Sequence, residues 1–381
     1  MLCKIVGMKR YLYSQVLKDI RKMVFITGPR QVGKTYLSKQ IMEEFKNPLY
    51  LNYDLMGDRE IIHRQSWKLN AELIVFDEIH KMKNWKNFLK GVFDARPEGQ
   101  ALLITGSARL ETFRQSGESL AGRYFHLRLY PFSVKELEGS AAPHDALEKL
   151  NILGGFPEPF LSGSAEEAAR WRNQYYTDLI REDILEFSRI HEIKTMRLLV
   201  ELLRKRVGSP VSHVSLGEDL QVSPNTVKKY IQILEGLYIV FLVRPYHRQV
   251  ARSLLKAPKL YFYDSGFVQG DEGVRLENTC AVCLLKYVHY LHDAFGKNVD
   301  LQYLRTKDGM EIDFVLTVDD APEHLIEVKL TDNAPSRSLM NFAARFPQAR
   351  CVQLVHNLRH EEHRGGVDMV RAGQWLAQLP V

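Results

Sequence analysis

The sequence predicts an α/β protein: a parallel-sheet domain first, a helical middle, and a second α/β region at the end. Three observations predict it. Short apolar runs at residues 23–27, 49–53, 73–76, 101–105 and 124–129 alternate with helix-like stretches such as residues 34–45 and 85–93. Strand alternating with helix calls for a parallel sheet covered on both faces. From residue 165 to 207 the pattern turns strongly helical, and period-two alternation returns at residues 311–316 and 325–330, as half-buried strands require.

A chain of 381 residues is long enough for two or three domains. Gly, Ser, Ala and Pro gather around residues 137–145, and Gly154-Gly-Phe-Pro-Glu-Pro159 makes a second break. Domains are therefore expected at 1–145, 146–265 and 266–381. With 45% hydrophobic and 26% charged residues, each can bury a core. The formal charge of +6 permits a nucleic-acid partner without demanding one. Four cysteines make no disulfide framework, which suits a reducing compartment. Residues 1–16 mix Lys and Arg with short apolar runs and carry no small-residue cleavage site, so no signal peptide is expected. No apolar run approaches the ~18 residues of a membrane span. A cytoplasmic protein without a membrane partner is the expectation.

The first strand runs directly into Gly28-Pro-Arg-Gln-Val-Gly-Lys-Thr35, which fits G-x-x-x-x-G-K-[ST] at every fixed position. Its glycines let the backbone wrap phosphates, and the helix that follows offers free N–H groups and a positive dipole end. The expected ATP-binding residues are Gly28, Pro29, Arg30, Gln31, Val32, Gly33, Lys34 and Thr35, with Tyr36 beside them. Lys34 is expected to reach the β- and γ-phosphates and the Thr35 hydroxyl to ligate Mg²⁺. The apolar run at 73–76 ends in Asp77 and Glu78. Two carboxylates there are tolerable only at an exposed strand end, where α/β proteins place ligand contacts. Asp77 is the expected Mg²⁺ partner through water, and Glu78 the base that orients the attacking water.

One further strand (49–53) lies between the two motifs, the ordering of P-loop ATPases with an inserted strand and a catalytic glutamate. Residues 102–106 form another strand, ending at Ser107. Ser107 either senses the γ-phosphate or attacking water, or is simply a strand-to-turn serine. Arg109, Arg114 and Arg123 follow; Arg123, in Leu120-Ala-Gly-Arg123, is the first candidate for an arginine offered in trans to a neighbouring subunit's γ-phosphate. That role needs a homo-oligomer. An ordinary surface arginine is the competing reading.

The chain resembles a prokaryotic family of AAA-type P-loop ATPases. The matching pieces are Gly28–Thr35, Asp77–His80 (DEIH), Ile104–Ser107 (ITGS), Ala121–Arg123 (AGR) and Gly154–Glu158 (GGFPE). The resemblance implies an AAA-type (ASCE) ATPase domain, a winged-helix-like middle and a nuclease-like end.

Residues 214–237 have helix-turn-helix grammar: a short helix at 216–220, a turn at 221–223, then Ser223 as cap and Pro224 at the first helical position. Val227, Tyr230, Ile231 and Leu234 share one face; Asn225, Lys228, Lys229 and Gln232 share the other. The second face could grip DNA in a major groove, or the segment could serve assembly alone. Residues 237–243 and 259–263 are the expected wing strands, with Arg244, His247, Arg248, Arg252 and Lys256 as a basic cluster between them.

After Gly266, Glu277 opens an expected helix at 278–292. Glu311 and Asp313 share one face of a strand, and Glu327 and Lys329 one face of the next. A helix at about 336–346 and a strand at 351–355 follow. This order resembles the PD-(D/E)xK, restriction-endonuclease-like fold, with Ile312 where a Pro would precede the Asp. Asp313 and Glu327 are then the expected Mg²⁺ ligands, Glu277 completes the shell, and Lys329 polarises water or the scissile phosphate. Cys280 and Cys283 lie inside a helix with no second pair and read as core residues. The expected activity is ATP hydrolysis coupled to DNA, with Mg²⁺-dependent cleavage or a non-cutting contact as the output. A signalling ATPase with no nucleic-acid partner is the third reading.

Overall fold

The computed structural model describes residues 8–67, 70–106, 120–185, 190–247, 257–306, 308–331 and 334–381, side chains within 182–192 excepted. The chain divides into two compact units: Met1–Tyr130 with Asp293–Phe295, and Pro131–His292 with Gly296–Val381.

The first unit runs α1 (Tyr13–Asp19), β1 (Met23–Thr27), α2 (Lys34–Met42), β2 (Pro48–Asn52), α3 (Met56–Arg64), β3 (Leu73–Asp77), α4 (Trp85–Ala95), β4 (Ala101–Thr105) and β5 (Tyr124–Arg128). Its strands form one five-stranded parallel sheet in the order β2-β3-β4-β1-β5. Every residue of β1, β3 and β4 is buried, which is why these runs read as continuous apolar segments rather than alternating ones. Phe25, Ile74, Phe76, Trp85, Leu89 and Ile104 belong to one core cluster, each fully buried large side chain contributing about 1.5–3 kcal/mol. The strand inserted between the P-loop strand and the acid-bearing strand is β4. The strand that separates the two motifs in sequence, β2, lies at the edge. Order along the chain therefore differs from order across the sheet.

The second unit begins with helices: α5 (Pro143–Leu153), α6 (Pro157–Ser162), α7 (Ala165–Leu185), α8 (Ile190–Arg204), α9 (His213–Leu220) and α10 (Pro224–Gly236). Then come β6 (Val240–Pro245), β7 (Lys259–Phe262), α11 (Glu272–Phe295), β8 (Val299–Arg305), β9 (Glu311–Val318), β10 (Ala321–Lys329), α12 (Arg337–Arg345), β11 (Arg350–Val355), β12 (Glu362–Arg364), β13 (Val367–Arg371) and α13 (Ala372–Ala377). The described strands make one eight-stranded mixed sheet, β12-β13-β11-β10-β9-β8-β6-β7. An antiparallel run β8-β9-β10 sits at its centre and continues into parallel β11 and β13. The β6–β7 hairpin, expected as wing strands, pairs onto this same sheet through β6 and β8.

Glu277 does not open its helix. Asp271 caps α11 by accepting a hydrogen bond from Val274 N at 2.9 Å, so the helix starts at Glu272 and Glu277 lies within it. Among the described residues no helix is long and apolar enough to cross a membrane.

Candidate functional site

The loop Gly28–Thr35 links β1 to α2 at the C-terminal ends of the parallel strands. Gly28 has φ +144, and a Cβ there would stand 2.1 Å from the Leu129 carbonyl oxygen. Only glycine fits so close a backbone approach. Gly33 closes the loop in the left-handed region and serves as the N-cap of α2. Lys34 is buried, its Nζ donating to the carbonyls of Gly28 (3.0 Å) and Pro29 (2.6 Å). Burial in this carbonyl nest pushes its pKa down to about 8 despite the nearby Glu78 and Asp77. Among the described residues the Lys34 ammonium is held by backbone carbonyls and not by a carboxylate ion pair.

Asp77 ends β3 and is the hub of the acid side. Its Oδ1 accepts from Thr105 Oγ1 at 2.6 Å, and its Oδ2 accepts from Thr35 Oγ1 at 3.3 Å and from the Tyr50 hydroxyl. The Thr35 hydroxyl and the Asp77 carboxylate thus face each other, and both are hard oxygen donors of the kind Mg²⁺ takes. Glu78 adopts φ 56, ψ 21, a left-handed turn that bends the chain as it leaves β3. Its N–H donates to the Thr105 carbonyl at 3.0 Å, and its Oε2 lies 3.5 Å from Lys81 Nζ and 3.6 Å from His80 Nε2. Burial raises the Glu78 carboxyl pKa, Lys81 opposing. A carboxylate moved towards neutrality is better matched to accepting a proton from water.

Tyr50 and Arg10 escaped the sequence reading, whereas Thr105 and His80 stood inside its ITGS and DEIH pieces. Tyr50, Thr105 and His80 each touch Asp77 or Glu78. Arg10, remote in sequence, is buried and donates to the Val32 carbonyl of the loop and to the Tyr130 carbonyl at 2.6 Å. A polar side chain in an apolar strand, as Thr105 and Thr27 are, was the available signal. Arg123 forks onto Asp94, Nε to Oδ1 at 2.8 Å and the second contact at 3.1 Å. Ser107, Arg109 and Arg114 lie outside the described residues, as do Arg248, Arg252 and Lys256 of the basic cluster.

In the second unit, Ser223 caps α10 by accepting from Thr226 N at 3.1 Å, with Pro224 at the first helical position. Val227, Tyr230, Ile231 and Leu234 are buried, while Asn225, Lys228, Lys229 and Gln232 are exposed. Gly217 of α9 sits so close to the turn that a Cβ would meet the Val222 carbonyl oxygen at 2.8 Å.

The acids of α11, β9 and β10 gather, but around a lysine. Lys259 on β7 is 1% exposed. Its Nζ lies 2.6 Å from Glu311 Oε1, 3.5 Å from Glu277 Oε1 and 3.7 Å from Asp313 Oδ1. Tyr261, two residues along the same strand and so on the same face, donates its hydroxyl to Glu277 Oε1 at 2.6 Å. Asp313 Oδ2 accepts from Val328 N at 2.9 Å, and Glu327 Oε1 pairs with Lys329 Nζ at 2.9 Å. Glu327 Oε2 is buried with no hydrogen-bond partner among the described residues. Burial and the neighbouring Asp313 push the carboxyls of Glu277 and Glu327 up, whereas the surrounding carboxylates push Lys259 up against the effect of its burial. Divalent-cation geometry is a poor match. The group among the described residues whose ligand atoms all lie within 4.8 Å of one another is exposed His144, Asp145 and Glu148, not Glu277, Asp313 and Glu327.

Comparison with known proteins supports an AAA-type P-loop ATPase in the first unit. Residues 20–138 match a family described as an AAA domain, residues 144–273 a domain of unknown function (DUF8612), and residues 272–374 another (DUF4143). An uncharacterized protein of Mycobacterium tuberculosis is 26% identical over 339 residues, covering 86% of this chain and 75% of its own length. An uncharacterized protein of Methanocaldococcus jannaschii is 24% identical over 332 residues, covering 77% and 72%. The RuvB Holliday junction branch migration motor of Thermotoga maritima aligns over 63% of this chain and 87% of its own, at 17% identity and a TM-score of 0.28.

Proposed function

We propose that the chain is an ATP-hydrolysing switch that works with DNA, its first unit supplying the hydrolysis and its second the contacts. The observation that carries this reading is the convergence of Lys34, Thr35, Asp77 and Glu78 at the C-terminal end of the parallel sheet. Lys34 exchanges its carbonyl partners for the β- and γ-phosphates. Thr35 and Asp77 would hold Mg²⁺, which would supply positive charge beside the phosphates. Glu78 takes up the proton of the attacking water, and Thr105 and Tyr50 keep Asp77 in place.

The exposed Asn225, Lys228, Lys229 and Gln232 on a capped helix preceded by a tight turn support docking into a DNA groove in the winged-helix manner. The order α11, β8, β9, β10, α12, β11 supports a nuclease-like end of the chain. Lys259 among its acids favours a contact module there over a cutting one.

The test combines turnover and binding. Phosphate release from ATP with Mg²⁺ is expected to fall at least ~100-fold in Glu78→Gln, while nucleotide binding persists in that variant and is lost in Lys34→Ala. Anisotropy of labelled duplex DNA at low salt is expected to rise with the protein and to fall in the double variant Lys228→Ala, Lys229→Ala. Turnover unchanged in Glu78→Gln removes the hydrolytic assignment. Absence of both DNA and RNA binding at low salt removes the nucleic-acid role. Cleavage of DNA or RNA that is lost in Glu327→Gln removes the contact-module reading.

A further inference from the structure

We infer that the ammonium of Lys259 is the built-in cation of the acidic cluster in the second unit, and that it holds the place a divalent ion would otherwise take. The inference rests on the nuclease-like reading of that region. A metal site in such a scaffold draws on oxygens from α11, β9 and β10, the elements that carry Glu277, Asp313 and Glu327. Here Lys259 enters from a fourth element, the edge strand β7, and its Nζ reaches Glu277, Glu311 and Asp313.

The contacts of the cluster agree with cations already in residence: Lys259 Nζ lies 2.6 Å from one oxygen of Glu311 and Arg305 Nε 3.5 Å from the other. Glu277 Oε1 is shared between the Tyr261 hydroxyl and Lys259; Asp313 turns one oxygen to Lys259 and the other to the Val328 amide. Glu327, beside Asp313, makes no ion pair with Lys259: one oxygen is on Lys329 and the other is buried with no hydrogen-bond partner among the described residues. Mg²⁺ takes about six oxygens at about 2.0–2.1 Å, one or two of them from carboxylates and several from water. Reaching them here would mean drawing Glu277 and Asp313 away from Lys259 while leaving two positive charges together in a buried place. The lysine has nowhere wet to retreat: it is 1% exposed, with the Tyr303 ring centroid 5.5 Å away.

Gly208 reinforces the arrangement. It adopts φ +74, and a Cβ there would stand 2.9 Å from Glu277 Oε1. The backbone at Gly208 therefore closes against the carboxylate and leaves no room for a side chain there. The cluster is thereby a joint between β7, β9 and α11 built around a lysine rather than an open ion site.

Titration of the nucleotide-free full chain with Mn²⁺, followed by calorimetry and by thermal unfolding, tests this. Wild-type protein and Glu327→Gln are expected to respond identically, any shared response coming from elsewhere in the chain. Lys259→Met, with its acids no longer facing that ammonium, is expected to bind Mn²⁺ at least ~10-fold more tightly than wild type. Adding Glu327→Gln to Lys259→Met is expected to abolish that gain. Wild-type Mn²⁺ binding that disappears in Glu327→Gln overturns the inference, as does a folded Lys259→Met protein with no gained binding. The first comparison needs only variants that keep Lys259, so it decides the matter even where Lys259→Met fails to fold. Mn²⁺ binding at Glu327 without cleavage sinks this inference alone; cleavage dependent on Glu327 sinks the contact-module reading as well.

Discussion

The two units each bury a lysine, and the two lysines have opposite company. Lys34 is held by the carbonyls of Gly28 and Pro29, and Lys259 sits among the carboxylates of Glu277, Glu311 and Asp313. Burial wins at Lys34 and lowers its pKa to about 8; the acids win at Lys259 and raise its pKa. Under the proposed function, the difference separates a phosphate-binding lysine from a structural one. Carbonyl dipoles stabilise an ammonium only partly, so a phosphate can replace them at a profit. Three carboxylates leave a further anion nothing to gain.

The comparison can be broken most sharply by removing each charge. Lys34→Met is expected to lower ATP turnover by about 1,000-fold, a loss of transition-state charge stabilisation, with the fold intact by circular dichroism. If turnover stays within a few-fold of wild type, Lys34 is not the binding lysine. Lys259→Met is expected to destabilise the second unit by about 3–5 kcal/mol in denaturant unfolding, because it strands buried carboxylates. A loss below about 1 kcal/mol would mean that those acids were never relying on it.

The pH dependence sharpens the same contrast. Lys34 has a folded-state pKa below its unfolded value of 10.5, so between about 8 and 10.5 the unfolded chain holds the extra proton. Its contribution to stability therefore rises with pH across that window, by roughly 3 kcal/mol at most. Lys259 runs the other way. Its stabilisation is complete below 10.5 and fades only as pH climbs through its raised folded-state value. Subtracting the Lys34→Met unfolding profile from wild type, without nucleotide, isolates the first slope; a flat difference contradicts it.

The smallest effect concerns Arg123. It is paired with Asp94 at the surface, where single ion pairs contribute little. Arg123→Ala is expected to leave the melting temperature unchanged. If it acts in trans, wild-type turnover per chain rises with protein concentration and the variant's does not. Concentration-independent wild-type turnover removes that role.

Local chemistry was legible in the sequence, and long-range placement was not. The loop Gly28–Thr35, the acids Asp77 and Glu78, and the cap and faces of α10 each depend on neighbours within a few residues. The structure places them where their spacing predicts. The position of β4 between β1 and β3, the pairing of β6 with β8, and the start of α11 at Glu272 depend on distant partners or a cap that the apolar pattern did not single out. Lys259 shows the limit best. In Lys259-Leu-Tyr-Phe262 it reads as a polar end to an apolar strand, and its importance comes from residues 18 to 54 positions further on.

Arg10 joins two points that are far apart in sequence: the Val32 carbonyl in the phosphate loop and the Tyr130 carbonyl, at the last residue before the chain leaves the first unit. One planar guanidinium thus bridges the glycine-rich loop and the place where the chain departs. Each carbonyl is held through the same planar group, so the loop and the exit residue are fixed to one another by a single side chain.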